Sequence, residues 1–547
     1  MDSDAIEKVV YYHERTKHDY RRYANGPGYM DWANQPNPFR KFSGAPFIYL
    51  PIVNRDESPP YKRIFETNGV EPCPVTAYTL SRFHELSLAV SAWKQAGDSR
   101  WALRSNPSSG NLHPTEGYLV VGGVEGIQSG PGVYHYAPEQ HGLELRTRFA
   151  PEIWRALMKG FPSGAFLTAL SSIHWRESWK YGERAFRYCQ HDIGHALAAY
   201  RVAAAAMGWR LVLLEGASDD DIANLLGLNR DEDFLDAERE HPDLVAVVFG
   251  DAKQSDIPLS LDPALIAEIA RGAWQGKANR LSGQRSQWEI IDTVAAATVK
   301  AKSQNVRRNR LPVEGDARIA ELAFSSVCQT PRRQRVKARQ IIRQRRSAMA
   351  FDGVTHLTRE DFYLILSHAA LSKNAPGMPW DAISWTPYIH LCLFVHRVHG
   401  LKPGLYILAR DPEKILLLKK SMKEEFLWEK PESCPDLLPL YLLKTGDYRR
   451  TAAQVSCNQE IAGQSAFSLA MVAEFAPSLR KHGAWFYRRL FWESGMIGQM
   501  LYLAAEFVGA RGTGIGCYFD NPVHDLLGFK DRDFQSLYHF TIGGPVE

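Results

Sequence analysis

The sequence predicts an α+β protein in which two similar units pack against each other within one chain. Helix-like and strand-like stretches alternate in residues 71–252 and again in residues 335–547. The chain has 547 residues, which is enough for roughly two to four domains. Of these residues 45% are hydrophobic and 23% are charged, which is typical of a soluble globular protein. This composition excludes a mainly disordered, collagen-like or coiled-coil chain.

The repeat emerges when the chain is compared with itself at a separation of 301 residues. Lys180 then aligns with Lys481, and Asp192 faces Glu493, without a gap between them. The same alignment pairs Arg187 with Arg488, Gly194 with Gly495, Gly208 with Gly509, and Leu225-Leu226-Gly227 with Leu526-Leu527-Gly528. A fused repeat usually imitates a homodimer, so we expect an intrachain pseudo-dimer whose copies have diverged. Two unrelated helices that share alanine and glycine are the alternative.

The chain divides into four regions by composition and pattern. They are an extended arm (residues 1–70), a first unit (71–252), a basic helical linker (253–334) and a second unit (335–547). The first unit has predicted strand cores at Leu119–Val121 and Leu244–Phe249. The linker carries the basic runs Arg307–Arg310 and Arg332–Arg335, which we interpret as a solvated helix face.

Charge and apolar patterning exclude several classes of partner. The net charge of +4 is too small over this length to predict nucleic-acid binding. The most apolar helical stretch, residues 194–208, contains Arg201 and is shorter than the roughly 20 residues of a membrane span. The acidic start, Met1–Glu7, lacks the apolar core of a secretory signal. The seven cysteines are scattered without a C-x-x-C motif, which disfavours a disulfide framework or a metal site and predicts a cytoplasmic protein.

A first candidate binding motif is the basic turn Arg345-Arg346-Ser347. It follows the short helical run Ala338–Gln344 and precedes a helix predicted to begin after Thr358 as N-cap. Two guanidinium groups and a hydroxyl at the end of a helix suit a phosphate, because arginine donates forked, charge-assisted hydrogen bonds. A solvated basic turn is the alternative.

A second motif is a polar loop that leads into an apolar strand. It contains Arg104, Pro107, Ser108, Ser109, Gly110 and Asn111. Serine and asparagine can both donate and accept, as needed to bind the edge of a planar heteroaromatic ring and its polyol chain. An ordinary turn capped by Asn111 is the alternative.

A third motif is the glycine-rich turn Thr513-Gly514-Ile515-Gly516. Alternate glycines let backbone amides approach a flat ligand closely. The G-x-G-x-x-G spacing of dinucleotide-binding folds is absent, and the turn follows a helix rather than a strand. A helix C-cap followed by a flexible turn is the alternative.

Together these motifs resemble the FMN-dependent nitroreductase superfamily, and within it the SagB-type dehydrogenases. The resemblance spans both large regions and extends to Phe351, Asp520, Leu526-Leu527-Gly528 and the arm segment Tyr12–Lys17. It implies two three-layer units, each with a central, mostly antiparallel sheet flanked by helices. It also implies that the Arg-x-Ser turn holds the FMN phosphate, that the Pro-Ser-Ser-x-Asn loop reaches the flavin from the other subunit, and that the glycine turn lies beside the ring.

The motifs are divided between the two copies. The first unit has the loop, but Thr67–Val70 replaces the Arg-x-Ser turn and Leu211–Glu215 replaces the glycines. The second unit has the turn and the glycines, but Met378–Pro387 replaces the loop. The sequence therefore predicts one composite FMN site between the units and a second, inactive one. Family members often have a further cation where this chain has Met349, and Arg104 is a candidate to replace it.

The candidate acid/base pair is Lys180-Tyr181, which resembles a Lys-Tyr pair of SagB-type enzymes. A lysine desolvated near a flavin can titrate near neutrality, and a tyrosine can relay its proton. The second copy has Lys481-His482 instead, so the tyrosine is not part of the shared scaffold. A purely structural Lys-Tyr pair is the alternative. In the arm, His13 is expected to be a packed, hydrogen-bonded histidine rather than a lining of the substrate entrance.

The predicted function is FMN-dependent hydride transfer, with peptide azoline oxidation to azoles as the reaction that the resemblance implies. A generic nitro- or quinone reductase is one alternative, with NAD(P)H as a candidate electron donor. A non-catalytic scaffold for a partner protein, either flavin-binding or empty, is the other. The expected partner is a small-molecule or peptide substrate, with no nucleic acid or membrane, and a further homodimer of the whole chain stays open.

Overall fold

Each alternating region folds around one antiparallel sheet in the computed structural model, which describes residues 3–52, 54–250, 257–301, 331–371 and 377–546. The strands of the arm, the first unit and the linker are β1 (Phe42–Ser43), β2 (Phe47–Tyr49), β3 (Val90–Ala96), β4 (Ser99–Arg104), β5 (Thr115–Val121), β6 (Gly132–Ala137), β7 (Gly142–Arg148), β8 (Phe166–Ser172), β9 (Arg210–Leu213), β10 (His241–Phe249) and β11 (Lys277–Ala278). Those of the second unit are β12 (Ile389–Val395), β13 (Gly404–Leu408), β14 (Leu440–Thr445), β15 (Phe467–Glu474), β16 (Arg511–Ile515) and β17 (Phe534–Gly543).

Helices flank both sheets. Those of the arm, the first unit and the linker are α1 (Ser3–Arg15), α2 (Ala77–Ser87), α3 (Pro151–Leu157), α4 (His174–Tyr181), α5 (Ala185–Ala206), α6 (Asp219–Leu226), α7 (Pro263–Ala270) and α8 (Glu289–Ala297). They are followed by α9 (Pro331–Arg335), α10 (Ala338–Gln344), α11 (Arg359–Ser367), α12 (Ile415–Ser421), α13 (Arg449–Val455), α14 (Glu460–Gln464), α15 (Phe475–His482), α16 (Phe486–Val508) and α17 (Asp520–Leu527). No helix in the described ranges has both the length and the apolar character that crossing a bilayer requires.

The two main sheets have the same strand order. In the first unit the order is β2-β7-β6-β5-β8-β10-β9, and in the second it is β14-β13-β12-β15-β17-β16. All neighbouring strands are antiparallel. Apart from β2, each strand of the first sheet has a counterpart at the same position in the second sheet, and the counterpart's number is higher by seven, as for β7 and β14. The arm contributes β2 to the free edge of the first sheet. The predicted α+β fold class is confirmed.

A shared hydrophobic core lies between the two sheets. Leu119 and Val121 of β5 face this core, whereas Tyr118 and Val120 face a separate cluster on the outer side of their sheet, as alternation along a strand requires. The long helices α5 and α16 lie in the shared core, and nearly all of their residues are buried. Each sheet is therefore covered on both faces, which gives the three-layer arrangement.

The helices α5 and α16 cross at two glycines that the repeat alignment pairs. A side chain on Gly194 would collide with the Trp492 carbonyl, and one on Gly495 would collide with the His191 carbonyl. Close backbone contact at the crossing therefore requires glycine in both helices. The aligned glycines touch each other's helix, as expected where a pseudo-twofold axis passes through an interface.

Two buried ion pairs connect the units in opposite directions. Arg187 Nη1 lies 3.1 Å from Asp520 Oδ1, and Arg488 Nη2 lies 2.6 Å from Asp219 Oδ2. At the 301-residue separation, Arg187 aligns with Arg488, and Asp219 aligns with Asp520. Each unit thus gives an arginine to the other and receives one in return, which is the reciprocity of an isologous interface.

The arm differs from the extended segment that its composition predicts. Residues 3–15 form the helix α1, which buries Val9, Tyr12 and His13 on one face. These residues lie three and four positions apart, so a helix brings them together against the core. His13 is a packed histidine as expected, within 3.2 Å of Tyr487 Oη and 3.3 Å of Gln535 Oε1. In the linker, the run Arg307–Arg310 lies outside the described residues.

Candidate functional site

The Pro107–Asn111 loop connects β4 to β5 and is anchored to helix α5. The backbone N–H and the Oγ of Ser109 both donate to Asp192 Oδ1, each at 3.1 Å. Ser108 Oγ accepts the backbone N–H of His113 at 2.8 Å. The two serines therefore fix the loop to α5 and to the start of β5, which makes it a rigid element.

The tip of the loop is held in left-handed backbone conformation. Gly110 has φ of 58° and Asn111 has φ of 60°. The Asn111 side chain donates from Nδ2 to the Ala102 carbonyl at 2.9 Å, and its Oδ1 lies 3.0 Å from His113 Nε2. Because Asn111 is engaged inside the loop and Gly110 is exposed, the loop presents backbone at its tip.

Asp192 is a buried carboxyl that titrates near neutrality. Burial raises its pKa to about 7, although the hydrogen bonds from Ser108 and Ser109 lower it. The site therefore contains an acid whose charge changes in the physiological range.

Lys180 and Tyr181 end helix α4 directly above the loop tip. A Cβ on Gly110 would lie 2.6 Å from Tyr181 Oη and 3.2 Å from Lys180 Nζ. Lys180 Nζ also lies 5.3 Å from the centre of the Tyr181 ring. Among the described residues, neither polar group has a hydrogen bond or an ion pair. Burial and the nearby Glu177 carboxyl raise the pKa of Tyr181 well above its ordinary value, so Tyr181 is a neutral phenol.

One turn before Lys180, helix α4 buries the carboxyl of Glu177. Both of its oxygens lack a hydrogen-bond partner in the described part of the chain. Burial and the neighbouring Asp192 raise the pKa of Glu177 well above its ordinary value. Glu177 is therefore a neutral acid behind the Lys180-Tyr181 pair.

The Arg345 guanidinium reaches from the second unit to the backbone before the loop. Its Nη2 donates to the Arg104 carbonyl at 3.1 Å and its Nε donates to the Ser105 carbonyl at 3.3 Å. Burial lowers its pKa to about 10, and the like charge of Arg346 acts in the same direction. Its Nη1 has no partner among the described residues, where no carboxylate pairs with this cation. A buried arginine in this state is suited to an anion.

Arg104 is a second buried arginine at the junction of the units. Its Nη2 donates to the Pro38 carbonyl of the arm, and its buried Nε lacks a partner in the described ranges. Burial lowers its pKa to about 10. Arg104 therefore points toward the arm, while its own carbonyl accepts from Arg345.

The predicted glycine-rich turn is mainly a strand, since Thr513, Gly514 and Ile515 belong to β16 and pair with β17, and the Arg345–Ser347 turn is fastened to it. Ser347 Oγ lies 2.9 Å from Tyr502 Oη, which also accepts the Gly514 N–H at 2.8 Å. Thr513 Oγ1 donates to the Ala348 carbonyl at 2.7 Å. Two predicted binding segments that are far apart in sequence thus form one surface, on which Ser347 is exposed.

Gly514 and Gly516 of the glycine-rich segment have a packing role, in addition to any role in binding a ligand. A side chain on Gly514 would collide with Tyr538 Oη, and one on Gly516 would collide with the ring of Tyr188 from the first unit. Ile515 is buried in the outer core of the second unit. Close approach of aromatic rings therefore requires these glycines independently of a flavin.

The second copy differs at the position of the Lys180-Tyr181 pair. Lys481 Nζ donates to Tyr388 Oη at 3.1 Å, and His482 Nε2 lies 2.7 Å from the same oxygen. The counterparts of the candidate catalytic groups are thus bonded to one another through a tyrosine. This arrangement leaves no free base at the pseudo-symmetric position within the described residues.

The loop of the second copy is closed by an ion pair. Asp381, within the segment Met378–Pro387, accepts from Arg201 of helix α5 at 2.7 and 2.9 Å. At the 301-residue separation, Arg201 aligns with Tyr502, which is the residue that contacts Ser347 at the candidate FMN site. At the pseudo-symmetric site, the surface that corresponds to the Tyr502–Ser347 contact is therefore filled by the Arg201–Asp381 ion pair.

Three residues near the candidate site gave no functional signal in the sequence: Glu177, Tyr502 and Tyr538. A buried acid on a helix and aromatic residues on a helix and a strand are typical of a core. His195 Nε2, on helix α5, lies 3.2 Å from Tyr538 Oη. Burial and the charge of Arg345 lower the pKa of His195 to about 3, so this histidine is neutral.

Comparisons with known proteins show what the chain is similar to. Residues 72–237 match the family described as the nitroreductase family. An archaeal protein of Methanocaldococcus jannaschii, named "Putative nitroreductase MJ1384", is 28% identical over 146 residues, which cover 26% of this chain and 72% of the relative. A crystal structure of a protein with the same designation from Anabaena variabilis ATCC 29413 covers 98% of this chain and 99% of its own, with a TM-score of 0.65 and 21% identity.

The Anabaena structure shows that the whole chain has a fold already seen in a protein of matching length. The family match lies within the first unit. Together with the archaeal relative, it supports a nitroreductase-like oxidoreductase enzyme.

Proposed function

We propose that the chain is an FMN-dependent oxidoreductase of SagB type, with one composite flavin site between its two units. The observation that carries the proposal is the contact of Arg345 with the backbone that leads into the Pro107–Asn111 loop. The tip of the same loop, at Gly110, lies beside Lys180 and Tyr181. When bound, FMN supplies the two-electron hydride chemistry, and the protein supplies orientation and proton transfer.

The residues at the phosphate end fit an anionic group. Arg345 is a buried cation without a carboxylate partner in the described residues, and its Nη1 is free to donate. The exposed Ser347 adds a hydroxyl, and Arg346 adds a second guanidinium that is half-buried. In water-poor surroundings a phosphate would compensate the desolvation of Arg345.

The ring and ribityl side would be held by both units. The first unit offers Ser108, Ser109 and the backbone around Gly110, and the second offers the half-buried turn at Thr513 and Gly514. The polar side chains of the loop are already bonded internally, so their contribution is to hold backbone groups in position. Rigid positioning of this kind is what hydride transfer requires.

The reaction that we propose is the oxidation of a peptide azoline to an azole. This oxidation removes a hydride and a proton from adjacent ring atoms, so a base is needed. Lys180 would accept the proton, and the neutral Tyr181 would donate a hydrogen bond to the substrate or to Lys180. The buried, protonated Glu177 adds no negative charge that would hold Lys180 as an ion pair.

The flavin stoichiometry of the purified full chain tests the composite site. Titration with FMN, followed by the quenching of flavin fluorescence, is expected to end at one FMN per chain. An end point of two would contradict an inactive second site, and an absence of binding would favour the non-catalytic scaffold.

Matched lysine variants separate the two enzymatic functions. Lys180→Ala is expected to keep FMN binding and to lose azoline oxidation, whereas Lys481→Ala, at the aligned position, keeps both. A Lys180→Ala protein that still oxidises azoline peptides at the wild-type rate would refute the assigned base. Rapid NAD(P)H-dependent nitro reduction without azoline oxidation in the wild type would favour the generic reductase.

A further inference from the structure

Two cysteines that are 60 residues apart meet beside the glycine-rich turn. Cys457 Sγ and Cys517 Sγ lie 2.7 Å apart, and both side chains are partly exposed. A disulfide has an S–S length of about 2.05 Å, so the two sulfurs are within reach of a bond with little movement. Elsewhere in the described chain, Cys189, Cys392 and Cys434 are buried.

The surroundings of Cys517 favour a thiolate. The hydrogen bond from Cys457 lowers the pKa of Cys517, and His18 and the guanidinium of Arg184 act in the same direction. Arg184 is fixed beside the turn, because its Nη2 donates to the Gly516 carbonyl at 3.1 Å. A thiolate near a cation and next to a second thiol is the environment of a reactive cysteine.

The backbone on both sides holds the two sulfurs together. Cys457 follows helix α13 in left-handed conformation, with φ of 55°, and Asn458 has φ of 58°. Gln459 Nε2 donates to the Cys517 carbonyl at 3.0 Å, which connects the two segments independently of sulfur. Cys517 directly follows Gly516, so a bond between the sulfurs would restrain the glycine-rich turn.

We propose that Cys457 and Cys517 form a redox-active dithiol that a hydroperoxide oxidises to a disulfide. The Cys517 thiolate attacks one peroxide oxygen, which gives a sulfenic acid and releases hydroxide or alkoxide. The Cys457 thiol then attacks the sulfenic sulfur, forms the S–S bond and releases water. The two thiols lose two electrons, and the peroxide is reduced by two.

Hydrogen peroxide is the probe that tests this site in the intact chain. After brief treatment at pH 7, free thiols are alkylated and the protein is digested with trypsin under non-reducing conditions. The expected product is a disulfide between peptide 451–480 and peptide 512–530, which contain Cys457 and Cys517. Dithiothreitol is expected to restore both thiols. Full alkylation of both cysteines after peroxide would overturn the proposal.

Single variants assign the two roles. In Cys457→Ser, Cys517 is expected to accumulate as a sulfenic acid that dimedone traps, since the resolving thiol is absent. In Cys517→Ser, Cys457 is expected to stay a thiol. Cys73→Ser serves as the matched control at another partly exposed cysteine and should form the disulfide as the wild type does.

Rate gives the final discrimination. The thiolate is the form of cysteine that attacks a peroxide, so Cys517 is expected to react about tenfold faster than Cys73. Equal rates at the two positions would show unselective oxidation and overturn the proposal. These readouts use protein mass and need no bound FMN, so they are independent of the proposed flavin function.

Discussion

Replacing Arg345 by methionine is expected to weaken FMN binding about 10- to 100-fold, while the unfolding free energy of the chain falls by at most about 3 kcal/mol. Arg345 is 4% exposed, and burial lowers the pKa of its guanidinium to about 10. This fall corresponds to a cost of roughly 3 kcal/mol for keeping the cation in the folded chain. Because Arg345 is a base with a depressed pKa, the cost is fully present below about pH 10 and disappears only as the pH rises toward the ordinary pKa of an arginine.

The hydrogen bonds of Arg345 offset this cost. Its two bonds, to the carbonyls of Arg104 and Ser105, contribute about 1.5–3 kcal/mol each, as expected for a charged donor. Arg345→Met therefore loses about 3–6 kcal/mol and regains roughly 3, so the unfolding free energy falls by at most about 3 kcal/mol. Loss of one charge-assisted bond to phosphate raises the Kd for FMN by about 10- to 100-fold.

Arg201→Met is the matched contrast, because Arg201 is a buried arginine that has a carboxylate partner. Removal of the Arg201 charge breaks this ion pair and is expected to cost about 3–5 kcal/mol of stability. Its Kd for FMN should equal that of the wild type. Urea unfolding of the flavin-free proteins and fluorescence titration with FMN measure the two quantities. Wild-type FMN affinity in Arg345→Met would refute the phosphate assignment.

Three further predictions concern the loop, its anchor and the interface. Gly110→Ala should reduce turnover, since φ of 58° and a Cβ 2.6 Å from Tyr181 Oη both oppose a side chain; the kcat of the variant checks this. Asp192→Asn should flatten the pH dependence of stability: the pKa of Asp192 is raised to about 7, so wild-type stability from this group falls by about 1.4 kcal/mol per pH unit between pH 4 and pH 7, and equal slopes in urea titrations would contradict the assignment. Arg488→Met should destabilise the chain by about 3–5 kcal/mol, and adding Asp219→Asn should restore part of the loss in a double-mutant cycle.

The paired glycines show how much of the architecture the repeat predicts. Gly194 and Gly495 align at the 301-residue separation and then meet at one helix crossing. Strand cores at Leu119–Val121 and Leu244–Phe249 also lie in β5 and β10. Continuous apolar runs predict these strands because both faces of each sheet are covered. The N-cap at Thr358 is confirmed as well, since its side chain accepts the Asp361 N–H at 3.1 Å.

The environment of the candidate site could not be read from residue types alone. From its residue type alone Glu177 would be counted as a charged carboxylate. Its burial next to Asp192 raises its pKa and favours the neutral acid, and this burial depends on the tertiary fold. The glycines at 514 and 516 suggest ligand contact, whereas their immediate neighbours are the rings of Tyr538 and Tyr188. In each case a distant segment of chain sets the chemistry, and local pattern carries no information about it.

The two units keep the same buried ion pairs but differ at the proposed cofactor site, and this difference has a physical explanation. The Arg187–Asp520 and Arg488–Asp219 pairs are buried, so loss of either partner leaves an uncompensated charge, whichever unit it belongs to. Such contacts must therefore be kept in both directions. A cofactor site has no such reciprocal requirement once both halves are on one chain. The second position can be filled by the ion pair of Arg201 and Asp381, which stabilises the fold. The first keeps Arg345 without a carboxylate partner in the described chain, so that its charge is available to an anion.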